Sequence, residues 1–141
     1  IARLPAVLVT GGRGVVMEAA SRGAAAAGGL VVGILPGSDH TEANPWCSIA
    51  IPTGMGQGRN LPNVLAGDAV VVVGGAAGTL SELAFAWRFG RPCLAWTTCG
   101  GIGAAWAGKR LDNTREGSII PIEDAAGLEA ALRRMLAAFF R

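Results

Sequence analysis

Four consecutive valines running into GGAAGTLSE, residues 70–82, restrict this chain to few folds. An unbroken β-branched run reads as a strand buried on both faces, and such strands belong to parallel sheets covered by helices. Gly74, Gly75 and Gly78 permit positive φ and close approach by a ligand. The helix that follows opens with amides lacking an intrahelical acceptor, at its positive dipole end. These are the parts of an anion site of the kind that takes a phosphate. Thr79 is placed as N-cap, and Glu82, three residues on, as the second member of a capping box. Glu82 thus has two readings that stay open: it closes the helix start, or it faces a ligand.

Strand and helix patterns alternate along the rest of the chain. A strand over 6–10 ends in the glycine loop 11–14. An alanine-rich helix over 15–27 is closed by Gly28 and Gly29. Strands follow at 30–35 and near 47–51, then a glycine-rich loop, 52–58, and a short helix from Arg59 to about Ala66. After the strand over 68–73 comes a helix over 79–89, with Leu80, Leu83, Ala84 and Trp87 on one face and Phe85, Ala86 and Phe89 on others. A helix apolar nearly all round is buried on more than one side, which in a small domain points to a partner subunit. A strand at 92–96, a glycine-rich loop or short irregular helix at 97–108, a strand at 118–121 and a last helix capped by Glu123 or Asp124 complete the pattern. This predicts a single Rossmann-like α/β domain over 1–141, a doubly wound, mostly parallel sheet with helices on both faces.

The composition narrows the function classes. The 141 residues are 51% hydrophobic and 16% charged, with 22 glycines, as in a compact α/β domain. A net charge of +2 from scattered arginines is no nucleic-acid footprint. No apolar run reaches the ~18 residues of a membrane span. Cys47, Cys93 and Cys99 lack metal spacing and read as buried thiols of a reducing compartment, so a cytoplasmic location is expected. His40 sits in a polar loop with Asp39 and Glu42, and no metal site is expected.

Three glycine-bearing loops, 11–14, 53–58 and 74–78, leave the carboxyl ends of strands, where open α/β sheets place their ligands. Arg59 closes the second of them, at a helix start where a cation is badly placed for the dipole, and its guanidinium suits a phosphate. Standard fingerprints fail: Gly12 and Gly14 begin a GxGxxG pattern whose third position is Met17, and there is no GxxxxGK(S/T).

The segments LVTGGRGVVMEAASRGAAAAGGLVVGILPG, ANPWCSIAIPTGMGQGRN and GDAVVVVGGAAGTLSE, in that order, closely resemble the Rossmann-like superfamily of the Lonely Guy phosphoribohydrolases, often labelled lysine decarboxylase. The details are most similar to its molybdenum cofactor carrier branch. In the Lonely Guy enzymes an arginine, usually followed by lysine, precedes a PGGxGTxxE motif. By that resemblance Arg59 and Glu82 are the catalytic pair if the chain is an enzyme, and Gly75, Gly78 and Thr79 match the phosphate turn. Asn60 stands for the lysine and Gly74 for the proline, both typical of the carrier branch, while Ala76 stands for the second glycine and puts one backbone contact in question. Members usually carry a further strand, loop and helix ahead of the match to 6–10, so a βα unit of roughly 25–30 residues is expected to be missing.

The resemblance implies a phosphorylated ligand, molybdenum cofactor or a nucleotide, contacted by Gly11, Gly12, Arg13, Gly54, Arg59, Asn60, Gly74, Gly75, Gly78 and Thr79. It also implies a homodimer or homotetramer and no required cofactor. The alternative is an enzyme that cleaves the N-glycosidic bond of nucleoside 5′-monophosphates. Pyridoxal phosphate chemistry is disfavoured, because the sole lysine, Lys109 in AWAGKRLD, has no recognisable partner motif.

Overall fold

A computed structural model describes residues 4–139, which fold as two compact units that divide after Ala66. In the first, strand β1 (Leu8–Thr10), helix α1 (Val16–Ala26), strands β2 (Val31–Leu35) and β3 (Ile49–Pro52) and helix α2 (Asn60–Leu65) follow in order. Short 3₁₀ turns at His40–Glu42 and Gly56–Arg59 lead into β3 and α2 respectively. The second contains β4 (Val70–Val72), α3 (Ala77–Arg88), β5 (Cys93–Trp96), α4 (Gly101–Trp106), β6 (Ile120–Ile122) and α5 (Ala125–Phe139).

Each unit has a three-stranded parallel sheet, in the order β1-β2-β3 and β4-β5-β6. Every connection between paired strands is therefore a crossover, which puts all loops that leave strand carboxyl ends at one end of their own sheet. The expected Rossmann-like α/β architecture is present, arranged as two sheets of three strands.

Local chemistry explains the elements of the first unit. The alanines of α1 favour helix, and Ser21 and Ala24 face inward, with the Ser21 hydroxyl donating to the Met17 carbonyl at 2.7 Å. The helix ends where Gly28 takes φ +76°, as its amide and that of Gly29 return to the carbonyls of Ala25 and Ala24. Central strand β2 is nearly all buried, with Val31 and Leu35 at 0% exposure. At the other end of α1, Val15 occupies the N-cap with φ 59° and ψ −121° and makes no side-chain cap.

In the second unit Leu94, Ile122 and Ala131 form a core cluster, against which Leu128, Leu132 and Met135 of α5 pack. Asp124 starts α5 by accepting the Gly127 amide at 2.7 Å, which settles the choice between Glu123 and Asp124. Helix α3 buries Leu83, Ala86 and Trp87, while Ala84, Arg88 and Phe89 remain exposed. The Trp87 indole donates to Asp112 at 2.8 Å, and the Arg115 guanidinium covers the ring at 4.6 Å from its centroid. That guanidinium also donates to the carbonyls of Trp87 and Arg91, pinning the 109–117 loop to the end of α3.

The segment expected at 97–108 is part loop and part helix α4. The three cysteines differ from the expectation of buried thiols: Cys93 is buried, Cys47 half-buried and Cys99 exposed. Burial pushes the Cys93 thiol up to about 11, the nearby Arg115 charge opposing it, and burial also raises Cys47. Among the described residues no helix is long and apolar enough to cross a membrane, and no group of three His, Cys, Asp or Glu side chains is placed to hold a metal.

Candidate functional site

The loop after β1 is shaped by close contacts that only glycine allows. The Gly12 amide donates to the Thr10 hydroxyl at 3.0 Å, and Gly12 adopts φ +72°. A Cβ there would stand 2.6 Å from Leu35 Cδ2, and one on Gly33 would come within 3.0 Å of Gly12 Cα. The loop thus lies against β2, backbone on backbone.

Arg59 completes this contact. It ends the 3₁₀ turn Gly56–Arg59, where a cation suits the helix end, and also occupies the N-cap of α2. The bad dipole placement inferred for it is accordingly offset. Its side chain is only 9% exposed, and a Cβ on Gly11 would overlap the guanidinium, with Cζ at 2.6 Å. Arg59 and Gly11, forty-eight positions apart (59 − 11), are thereby brought together. Asn60, the next residue, is buried at 4% exposure.

Arg13 and Gly54 are placed differently. The Arg13 side chain, half exposed, pairs with Glu42 at 3.1 Å. Gly54 takes φ +66° with open space around it. Its amide donates to the Gly37 carbonyl at 2.9 Å, while the Thr53 hydroxyl donates to the Leu35 carbonyl at 2.7 Å. His40 is exposed beside Asp39, whose carboxyl is held below its ordinary value by hydrogen bonds from Thr41.

In the second unit the turn between β4 and α3 is exposed from Gly75 to Gly78. Gly74 and Gly75 take φ +60° and +93°, as the glycine pattern requires. The helix starts earlier than expected: α3 begins at Ala77, its N-cap is Ala76, and no side chain caps it. The capping box of Thr79 and Glu82 is therefore absent. Thr79 instead folds its side chain over Gly75, where an added Cβ would stand 2.5 Å from Thr79 Cβ. Glu82 lies half-buried in the second turn of α3. Gly78 lies in the first turn of that helix, where added bulk meets nothing within 4 Å. Ala76 has φ −128°, a conformation open to any residue, so its replacement of glycine costs the backbone nothing.

Three residues with no place in the sequence-based site shape these loops. Asn44, 8% exposed, donates its amide to the Gly12 carbonyl at 2.7 Å and its side-chain nitrogen to the Arg13 carbonyl at 3.0 Å. Gly101 and Gly103 of α4 lie against Gly74 and Gly75: the amides of Ile102 and Gly103 donate to the carbonyls of Gly75 and Gly74 at 3.0 and 2.9 Å. The only sequence signal for the latter was the glycine density after β5, and for Asn44 there was none.

A model of the SLOG cluster4 family matches residues 1–123. A protein of Archaeoglobus fulgidus is 47% identical over 85 residues, a match that spans 60% of this chain but only 56% of that relative's length. The X-ray structure of TM1055 superposes with a TM-score of 0.88 at 33% identity, covering 94% of this chain and 81% of that one. The molybdenum cofactor binding protein of the phototrophic bacterium Rippkaea orientalis gives 0.79 at 33% identity, covering 92% and 77%. The molybdenum cofactor carrier protein of Chlamydomonas reinhardtii gives 0.81 at 34%, covering 97% and 82%.

Proposed function

This chain belongs to the SLOG cluster4 family, and from that premise we propose that it binds and carries a phosphorylated small molecule, a molybdenum cofactor or a nucleotide-like ligand. The observation that carries the reading is the exposed turn after β4, where Gly74 and Gly75 hold positive φ at the start of a twelve-residue helix. Amides there meet a phosphate without the desolvation that a buried charge would suffer. The likeness to molybdenum cofactor binding and carrier proteins supports the choice of cargo.

In this reading the amides of residues 75–79 take the phosphate. Gly11, Gly12, Arg13, Gly54, Arg59 and Asn60 are the remaining ligand-contacting candidates. A homodimer or homotetramer in the cytoplasm is the expected setting, with neither pyridoxal phosphate nor nucleic acid involved. The test is retention of molybdenum cofactor through gel filtration, with protection of the cofactor from oxidation. Wild-type protein retains and protects it, and Arg59→Ala loses both; failure of the wild type to retain it overturns the carrier reading.

One observation favours a second reading, N-glycosidic cleavage of nucleoside 5′-monophosphates. Glu82 lies half-buried in the second turn of α3, directly after the exposed glycine turn, where a carboxylate can serve a reacting sugar, and the resemblance pairs it with Arg59. Incubation with AMP distinguishes the two. Release of adenine and ribose 5-phosphate, abolished in Glu82→Ala, establishes the hydrolase, and absence of release leaves the carrier.

A further inference from the structure

The turn that would hold the phosphate does not set its own shape. The carbonyls of Gly74 and Gly75 both point at α4, accepting the amides of Gly103 and Ile102. Peptide bonds of the described residues are all trans, so each N–H points opposite to the carbonyl of its own peptide unit. Fixing these two carbonyls on α4 consequently turns the amides of Gly75 and Ala76, which are consecutive and exposed, away from α4 together. Two adjacent N–H groups aimed the same way form a concave donor pair suited to an anion. The acceptor oxygens that would repel an anion are engaged on the opposite side.

The packing leaves no slack in this arrangement. A Cβ on Gly101 would stand 2.5 Å from the Gly75 oxygen and 2.8 Å from the Gly74 carbonyl carbon. One on Gly103 would stand 3.2 Å from the Gly74 nitrogen and the Val72 oxygen, and 3.3 Å from the Trp96 oxygen. All of these neighbours are backbone and cannot move as a side chain can. The far end of α4 is held too, because the Gly108 amide donates to the Ile119 carbonyl at 2.8 Å.

We propose that the first turn of α4, through the amides of Ile102 and Gly103 and the missing side chains of Gly101 and Gly103, is the positioning element that presents the Gly75 and Ala76 amides to a phosphate. This rests on the phosphate-binding reading above. These residues act through the turn and do not themselves touch the ligand.

Two variants and a control test it. Gly101→Ala fills the contact, and Ile102→Pro deletes one donor at a helical position that tolerates proline. Gly108→Ala carries the same positive-φ penalty, φ +76°, in open space at the other end of α4. Exchange of the Gly103 amide is read by NMR without ligand, and affinity for AMP and for inorganic phosphate by calorimetry. Gly101→Ala and Ile102→Pro should speed Gly103 exchange and raise the dissociation constant for the probes at least tenfold, with Gly108→Ala at the wild-type values. Folded Gly101→Ala and Ile102→Pro proteins with wild-type affinity overturn the proposal. If the wild type binds neither probe, the phosphate reading falls, and the positioning element then stands or falls on the exchange result alone. If Gly101→Ala does not fold, Ile102→Pro decides.

Discussion

The guanidinium of Arg59 occupies the space that any side chain on Gly11 would need. Glycine at 11 and arginine at 59 are therefore one feature. Gly11→Ala should destabilise the protein by about 1–3 kcal/mol, as overpacked cores do. It should also weaken ligand binding by displacing Arg59. Chemical denaturation and cofactor retention measure the two effects, and a Gly11→Ala protein with both at wild-type values would refute the contact.

Ala76 is an N-cap without a cap. Ala76→Ser should stabilise the protein by about 0.5–2 kcal/mol, the usual worth of a capping side chain. Ala76→Asp should stabilise α3 as well, yet lower affinity for a phosphate by placing a carboxylate beside it. Denaturation midpoints rising in both variants, with AMP affinity falling in both, because the cap competes for the same amides, and falling further for aspartate, is the expected pattern.

Val15 bears a backbone conformation that only glycine adopts easily, and its side chain is 87% exposed, so little burial compensates. Val15→Gly should raise stability by about 1 kcal/mol after glycine's own entropic cost is counted. Thermal unfolding checks the sign.

Asp112 is held below its ordinary value of 3.8 by hydrogen bonds from Thr114 and the Trp87 indole. A carboxyl with a depressed folded value contributes stability above its unfolded value, and that contribution disappears as the pH falls through the folded one. Asp112→Ala should thus lower the melting temperature at pH 7, and its deficit against wild type should shrink as the pH falls below 3.8. A constant difference across that range would remove the ionised carboxylate from the explanation.

The legible parts of this molecule were the local ones. Positive φ at Gly74 and Gly75 and the closure of α1 at Gly28 follow from chemistry within a few residues, whereas Gly78, expected to share that freedom, lies inside α3 without a positive φ. Parallel strands followed from the valine run and the alternation of elements. What failed at Thr79 and Glu82 was a local rule overridden from elsewhere: with the carbonyls of Gly74 and Gly75 tied to α4, the helix starts at Ala77 and leaves the capping residues inside it. Asn44 was invisible for a related reason. Its contact with the Arg13 carbonyl spans 31 positions, and no pattern near residue 44 announces it.

The unequal burial of the three thiols has a practical consequence. Cys93 is buried with its ionisation pushed up to about 11, and Cys47 is half-buried and shifted the same way, so both are slow nucleophiles at neutral pH. Cys99 is exposed, and its carbonyl lies 3.5 Å from where a Gly74 Cβ would stand. A thiol-directed fluorophore would settle there first, at the rim of the turn, giving the native sequence a built-in optical reporter of its occupancy.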